Sequence, residues 1–356
     1  MNGLAALLGH SPELFPYVLD VPTDTVSFIR LSEAEYERAS FLDARLRTAQ
    51  MHHKAVPWVQ VAPAIAEARL TERCDFIFHI GHVGSTLLSR LMGAHAGAFA
   101  LREPQILRTF AQIRAAPALP HGWTDTDFAA RLDGCLKLLS RTFHARQRAV
   151  IKATSFVSDL AAQLLARAAS PKAVMLFVSP ETYLATIFAG PNSRKEAQIM
   201  TPSRWQRLNR RAGTTICDLA KLSEGEAIAL GWACETAALA QAAHGRAEQI
   251  LRLDFDGFLE DPARLCLAAL LHMGISATAD EAAAIVGGLH MERYSKAPEF
   301  AYDADLRLSL LTEARAAHGA QIRRGLQWLE ISASAHACVR DALVFAKTHD
   351  RRSARI

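Results

Sequence analysis

The chain has 356 residues, of which 50% are hydrophobic and 21% are charged, a composition typical of a globular protein with a sizeable core. Its formal net charge of +4 is too small to indicate a nucleic-acid partner, and no run of about 18 apolar residues predicts a transmembrane segment. The first residues lack the pattern of a signal peptide, and the six cysteines lie far apart without a C-x-x-C pair. We therefore expect buried thiols in a reducing compartment, the cytoplasm.

The N-terminal segment, residues 1–70, contains short helical patterns such as the charged stretch at 32–47. It shows no alternation of note that would predict a strand. We predict that this segment forms a helical cap on the domain that follows it.

The next element is a short apolar run that stops at two glycines and continues as a helix. Residues 76–80 predict a strand buried on both faces, and the apolar residues of 85–92 recur at helical spacing. Gly81 and Gly84 allow the backbone to turn sharply and to approach an anion closely. Two hydroxyl residues then open the helix, where free amides and the helix dipole favour phosphate or sulfate. The pattern predicts a phosphate cradle, and its alternative is a tight turn without a ligand.

This loop departs from the pattern of nucleotide triphosphatases, which place a glycine five residues before Gly84 and a lysine directly after it. Those two positions hold His79 and Ser85. Because that lysine neutralises the β and γ phosphates, we expect a nucleotide other than ATP or GTP. We expect His79 to pack or hydrogen-bond in the core rather than to take part in the chemistry.

Further apolar runs alternate with helical segments along the rest of the chain. The runs lie at 148–152, 173–178 and 249–255, and helices are predicted at 158–168, within 201–244 and from Asp261-Pro262 onward. This alternation predicts an α/β fold with a parallel sheet, covered by helices on both faces and binding ligands at the carboxyl ends of its strands.

The domain limits follow from these patterns. Residues 71–300 are expected to form the core domain, and residues 301–356 a C-terminal helical segment that ends in a basic tail at 347–356.

Four motifs, taken in order, resemble the sulfotransferase family that uses 3′-phosphoadenosine 5′-phosphosulfate (PAPS), particularly its bacterial and Golgi-like branches. They are the loop His82-Val83-Gly84-Ser85-Thr86, the acidic residue in Arg102-Glu103-Pro104, the strand that ends at Lys152, and the late strand and turn at 251–262 with the segment up to 275. No single motif is specific, but their shared order is hard to obtain by chance. The resemblance covers residues 74–296 and implies a fold built on a phosphate-binding loop.

The resemblance implies PAPS as co-substrate and assigns residues to it. The residues expected to bind the nucleotide are Gly81, His82, Val83, Gly84, Ser85, Thr86, Thr186, Arg194, Ser295 and Lys296. The arginine that the family uses for the 3′-phosphate is absent, because its place holds Val178 or Ser179. The substitute cations considered are those of 192–195, which include Arg194, and those of 323–325.

The resemblance also implies the catalytic residues Glu103, His82 and Lys152. Glu103 is expected to act as the base on the acceptor, while His82 and Lys152 neutralise the leaving oxygen. The alternative for Glu103 is a structural pairing with Arg102 or Arg108. We expect no metal, and for Asp254 and Asp256 we favour hydrogen bonds to loop backbone over a metal site.

The expected function is transfer of a sulfuryl group to a hydroxyl or amine of a small molecule, lipid or glycan. Two alternatives stay open: a phosphotransferase or nucleotide hydrolase on the same fold, and a degenerate member that binds an anion without catalysis. The acceptor pocket is expected within residues 109–143 and 201–230, and the oligomeric state cannot be read from the sequence.

Overall fold

The computed structural model describes residues 3–46, 53–115 and 122–347. Within these ranges the strands form a three-stranded antiparallel sheet near the N-terminus and a five-stranded parallel sheet. The predicted basic tail, apart from Lys347, lies outside the described residues.

The N-terminal segment contains a small sheet, so the prediction of a cap without strands is wrong. Its elements are α1 (Gly3–His10), β1 (Leu14–Asp20), β2 (Thr25–Arg30), α2 (Glu33–Arg38), β3 (Lys54–Pro57) and α3 (Trp58–Glu67). The alternation in β1 is obscured because Pro16 lies in the strand and the register shifts between Pro16 and Val18. The strands β2 and β3 are only 6 and 4 residues long, which leaves little periodic signal.

The helix predicted at 32–47 is shorter than expected. Ser32 and Glu35 form a capping box at the start of α2. The helix ends at Arg38 because buried arginines bind the carbonyl groups at its C-terminal end: Arg102 donates to Tyr36, Glu37 and Ala39, and Arg90 to Glu37 and Arg38.

The parallel sheet confirms the predicted α/β class. Its strands, in the spatial order β5-β6-β4-β7-β8, are β4 (Cys74–His79), β5 (Ala98–Arg102), β6 (Arg148–Lys152), β7 (Ala173–Phe177) and β8 (Ile250–Asp254). All residues of β4, β5 and β7 are buried. Since successive side chains of a strand point to opposite faces, helices must cover the sheet on both sides. The strand β5 has no counterpart among the predicted runs.

Helices connect the strands and complete the molecule. They are α4 (Ser85–Gly93), α5 (Gln105–Ala115), α6 (Asp125–Leu139), α7 (Ala161–Leu165), α8 (Pro180–Ala189), α9 (Pro191–Ala212), α10 (Glu224–Ala243), α11 (Phe255–Glu260), α12 (Pro262–His272), α13 (Ala279–Val286), α14 (Ala304–Ala335) and α15 (Ala337–Lys347). Short 3-10 turns occur at Ser155–Leu160, Leu219–Lys221 and Leu289–Met291. The helix predicted at 158–168 is therefore part 3-10 turn and part α7. The predicted C-terminal helices are present as α14, which packs on α8 and α10, and α15, which packs on α10.

The sheet places several chemically active residues at one edge. Because the five strands are parallel, their carboxyl ends meet there: His79 ends β4, Arg102 ends β5 and Lys152 ends β6. In the described ranges no helix is both long and apolar enough to span a bilayer.

Candidate functional site

A cavity of about 710 Å³ opens at the carboxyl ends of the strands. We call residues 81–86, between β4 and the first turn of α4, the glycine loop. The glycine loop forms one wall of the cavity, and the other walls come from the ends of β5 and β6, from residues 41–45, from α8 and α9, and from the segment 291–311. A volume of this size is in the range of cavities that hold a small ligand.

The glycine loop has the conformation of a phosphate-binding turn. Gly81, His82 and Gly84 have φ angles of 85°, 54° and 67°, in the left-handed region that favours glycine. A Cβ atom on Gly84 would lie 2.0 Å from the ring of Phe255, so only glycine fits there. The amide of Gly81 donates to Nδ1 of His79 at 3.0 Å. His79 therefore supports the loop, in agreement with the prediction that it hydrogen-bonds in the core.

The amides that follow in the loop are unpaired. No backbone or side-chain group of the described residues accepts a hydrogen bond from the amides of residues 82–87. The Thr86 hydroxyl is buried, and it too has no partner in the part of the chain that the structure describes. Unpaired buried donors are costly, and at a helix N-terminus they are well placed to bind an anion. This arrangement is what the chemistry of a phosphate or sulfate group requires.

His82 lies in the loop, and its side chain is 13% exposed. Its Nε2 atom is 3.4 Å from Glu196, and its Nδ1 atom is 3.4 Å from the Ser193 hydroxyl. Burial lowers the pKa of His82, against the opposing effect of Glu196. At neutral pH His82 therefore offers a hydrogen bond rather than a positive charge.

Glu103 and Lys152 form a buried ion pair at the ends of β5 and β6. The Lys152 ammonium donates to one Glu103 carboxylate oxygen, and Arg45 Nη2 lies 2.7 Å from the other. Burial opposes ionisation of Glu103, but the charges of Lys152 and Arg45 outweigh it and hold its pKa at about 2. Burial also lowers the pKa of Lys152, to about 8, although Glu103 acts against that shift.

The expected alternative pairing of Glu103 is wrong. The Arg102 side chain points toward α2 and donates to carbonyl groups there. The Arg108 guanidinium lies over the ring of Phe156, at 5.9 Å from its centroid. The carboxylate of Glu103 lines the cavity together with Lys152.

The other predicted nucleotide-binding residues divide into those that reach the cavity and one that does not. Thr186, Ser295 and Lys296 line it together with the whole glycine loop. Lys296 lies close enough to lower the pKa values of His82 and Lys152. Arg194 does not line the cavity, because it donates to both carboxylate oxygens of Glu224 at 2.9 and 2.8 Å.

The alternative cations at 323–325 also lie outside the cavity lining. The sequence analysis missed the cavity-lining arginines Arg45, Arg204, Arg293 and Arg307. No local pattern marks them, since each reaches the cavity through the packing of distant elements.

The segments expected to form the acceptor pocket contribute little to this cavity. Of the described residues in 109–143 none lines the cavity, and of 201–230 only Arg204 does. The helices α5 and α6 pack against β1 of the N-terminal sheet instead. Residues 41–45 and the segment 291–311 line the cavity instead.

The acidic residues after β8 bind protein groups. Asp254 accepts from the amide of Gly257 at 3.2 Å, as expected for a hydrogen bond to loop backbone. Asp256 instead accepts from the Thr182 hydroxyl at 3.0 Å and pairs with Arg307 at 2.6 Å. Across residues 3–46, 53–115 and 122–347, no three His, Cys, Asp or Glu side chains gather as a metal ion would require.

No protein-family profile and no curated protein matches the chain. Among solved structures, the chain is similar to the sulfotransferase domain from the curacin biosynthetic pathway, with 12% identity over 70% of this chain and 98% of that chain and a TM-score of 0.40. It is also similar to a sulfotransferase from Alicyclobacillus acidocaldarius, with 16% identity over 71% and 97% of the two chains and a TM-score of 0.34.

A third similar structure is retinol dehydratase in complex with androsterone and inactive cofactor PAP, with 11% identity over 92% and 94% of the chains and a TM-score of 0.32. The first two structures carry the name of the family that the sequence motifs resemble. At TM-scores below 0.5 these similarities do not assign a function to this chain.

Proposed function

We propose that this protein is a PAPS-dependent sulfotransferase that acts on a hydroxyl or amine of a small molecule, lipid or glycan. One observation carries the proposal: the unpaired amides of residues 82–87 and the Thr86 hydroxyl face the same cavity as the buried pair of Glu103 and Lys152. An anion-binding loop beside a buried acid and a buried base is the arrangement that group transfer from an anionic donor requires.

The residues present fit the 5′ end of PAPS. The amides of the glycine loop, with the hydroxyls of Ser85 and Thr86, would hold the 5′-phosphate at the N-terminus of α4. Ser295 and Lys296 line the same cavity, and Arg90 fixes their segment to α4 by donating to the Ser295 carbonyl at 2.8 Å. Ser85 stands where the lysine of a triphosphatase would be, which favours a donor without γ-phosphate.

Lys152 and Glu103 would divide the chemistry. In the transfer, the bond from sulfur to the bridging oxygen of PAPS breaks and a bond from sulfur to the acceptor atom forms. Lys152 stabilises the charge left on the bridging oxygen, and Glu103 accepts the proton of the acceptor. When Lys152 turns to that oxygen, Glu103 loses its nearest cation, so its pKa rises from about 2 and it becomes a better base.

The cavity and the cysteines support the remaining parts of the proposal. Apolar side chains, among them Phe41, Phe156, Met200 and Leu310, line part of the cavity and suit an organic acceptor. The six cysteines are free thiols, four of them buried, which agrees with a reducing compartment such as the cytoplasm.

Thermal unfolding tests the nucleotide class. We expect adenosine 3′,5′-bisphosphate (PAP), the product of PAPS, to raise the unfolding temperature of the purified chain, whereas ATP with magnesium does not. The Gly84→Ala variant is the matched control, because its Cβ would collide with the Phe255 ring and distort the loop, which should abolish the shift. A shift with ATP and magnesium alone would select a phosphotransferase or hydrolase instead.

Turnover tests the chemistry. With PAPS labelled in its sulfonate and a mixture of hydroxyl and amine acceptors, the wild-type chain should transfer the label, and Glu103→Gln should be slower by about 100-fold or more. Transfer that is unchanged in Glu103→Gln would remove Glu103 from the chemistry. PAP binding without transfer to any acceptor would indicate the degenerate, non-catalytic member of the fold.

A further inference from the structure

A buried cluster of charges joins α9, α10 and the 3-10 turn at Ser155–Leu160. Glu235 is fully buried and accepts from Arg207 at 3.0 and 2.8 Å and from Nε of Arg204 at 3.1 Å. Asp159 accepts from Arg207 at 2.6 Å and from Arg211 at 2.7 Å. Three arginines thus share two carboxylates, so the cluster carries one positive charge in excess of its negative charges.

Arg204 has the most hydrogen-bonding groups to spare in the cluster, since Arg211 leaves only Nη1 without an acceptor among the described residues. Only the Nε atom of Arg204 is used: within the described ranges, neither Nη1 nor Nη2 of Arg204 has an acceptor. Its side chain is 5% exposed, and yet it lines the cavity. Glu235 does not need Arg204 for neutralisation, because Arg207 already donates two hydrogen bonds to it.

The position of Arg204 on α9 explains why it faces the cavity. Ser193, Glu196, Met200 and Arg204 follow one another at intervals of three or four residues, so they share one face of the helix. All four line the cavity. Arg194 lies off this face, where it pairs with Glu224.

Lys296 lines the same cavity from a separate segment, residues 291–311. It has no hydrogen bond or ion pair with any residue that the structure describes. Arg204 and Lys296 line the same cavity, and both lower the pKa values of Glu196 and His82. Two cations from separate elements therefore converge beside the loop.

We infer that Arg204, assisted by Lys296, binds a second phosphate group of the nucleotide, in place of the arginine that is missing at Val178 or Ser179. This inference rests on the proposed function and deepens it. The two free Nη groups of a guanidinium match two phosphate oxygens, and a tethered arginine loses little conformational entropy on binding. Arg204 thus gives the site a preference for a nucleotide that carries a phosphate on the ribose as well as the one held by the loop.

Glu196 and Arg307 are consistent with this assignment. Glu196 lies beside His82 at 3.4 Å, and its carboxylate would repel an arriving phosphate, so Glu196→Gln should strengthen nucleotide binding. Arg307 lines the cavity but is paired one to one with Asp256 at 2.6 Å. The charge of Arg307 is therefore matched by a carboxylate of its own, whereas Arg204 shares Glu235 with Arg207.

Calorimetry with two nucleotides tests the inference. Adenosine 3′,5′-bisphosphate and adenosine 5′-monophosphate differ only in the 3′-phosphate, so the ratio of their affinities reports the second phosphate site alone. In the Arg204→Gln variant we expect the affinity for the bisphosphate to fall by about 10- to 100-fold, while that for the monophosphate changes by less than about twofold. Arg194→Gln, the same substitution on the same helix, should leave both affinities unchanged.

The outcomes separate the inference from the proposed function. If the wild-type chain prefers the bisphosphate and Arg204→Gln keeps that preference, Arg204 is not the site, and the sulfotransferase proposal stands. If Arg194→Gln loses the preference instead, Arg194 is the cation. If the wild type does not distinguish the two nucleotides, no second phosphate site exists, and if it binds neither, both proposals fail. If Arg204→Gln does not fold, Arg204→Lys replaces it in the test. Lysine keeps the positive charge but lacks the planar guanidinium, so we expect a partial loss of the preference for the bisphosphate.

Discussion

Two groups of charged residues reach the cavity, one with all of its members and the other through Arg204 alone, and they differ in how completely their members are paired. At the strand ends, Lys152 and Arg45 face two carboxylates, since Arg45 pairs with Asp43 as well as with Glu103. Between α9 and α10, three arginines share Glu235 and Asp159, and Arg204 keeps both Nη groups free of described acceptors. We call these the strand-end cluster and the α9–α10 cluster.

The difference separates two uses of buried charge. A fully paired cluster can act only when a ligand takes over one of its partners, which suits groups that work during a reaction. A cluster with a spare donor can bind an anion at once, at no cost to its internal pairs. The first arrangement therefore suits chemistry at Glu103 and Lys152, and the second suits nucleotide binding by Arg204.

The largest effect is expected within the α9–α10 cluster. Arg207→Met removes the cation that both carboxylates share and should lower the free energy of unfolding by about 3–5 kcal/mol. Arg204→Met leaves Glu235 paired with Arg207 and should cost about 1 kcal/mol or less. Urea unfolding at equilibrium measures both. Equal losses would mean that Arg204 is as structural as Arg207.

The next largest effect is expected for a substitution in the strand-end cluster, and it concerns the turnover number. Lys152→Met removes the cation at the leaving oxygen and should lower the turnover number with PAPS by about 100-fold or more. Lys172→Met is a matched control, because Lys172 precedes β7 at the opposite edge of the sheet. Steady-state kinetics measure both variants. A similar loss in the control would point to general destabilisation rather than to a role in the transfer.

The pH profile sharpens the assignment of Lys152. Its pKa is lowered to about 8, so its positive charge is present below that pH and is lost above it. Turnover should therefore fall about tenfold for each pH unit above about 8. Glu103 has a pKa of about 2 and gives no acid limb near neutrality. Lys152→Arg keeps its charge, so the alkaline fall should move to higher pH, and a fall that stays at about pH 8 would exclude Lys152 as its source.

The smallest effect is expected at Thr86, whose buried hydroxyl has no described partner. Thr86→Val keeps the shape and removes that hydroxyl, so the free energy of unfolding should stay the same or rise by up to about 1 kcal/mol. The affinity for the bisphosphate should fall about tenfold, because a hydrogen bond to a phosphate is lost. Loss of stability without loss of affinity would assign the hydroxyl a structural role.

The sequence predicts those parts of the molecule that local patterns encode. The glycine loop and the parallel strands have strong local signals, because a buried strand is continuously apolar and a left-handed turn needs glycine. The strand β1 is hidden by Pro16 and a register shift. The strand β5 contains two alanines and no β-branched residue, so its strand signal is weak. These elements form because neighbouring strands pair with them, which a single-sequence pattern does not record.

Single residues of the site are also hard to predict when their position depends on tertiary contacts. The stretch at 192–195 resembles a cation cluster, yet Arg194 pairs with Glu224 on another helix. Arg204 carries no motif, and its free guanidinium depends on Arg207 occupying Glu235. Both facts are set by tertiary packing of α9 on α10, so the sequence alone gives the class of the site but not all of its cations.

Hydrogen–deuterium exchange of the peptide that covers residues 80–88 tests the central claim most directly. The amides of residues 82–87 have no described acceptor in the free chain, so an anion bound to them should slow their exchange. We expect clear protection of this peptide at saturating adenosine 3′,5′-bisphosphate, and none with the same nucleotide added to Gly84→Ala. Unchanged exchange in the wild-type peptide, at a concentration where calorimetry shows the nucleotide bound, would contradict the account.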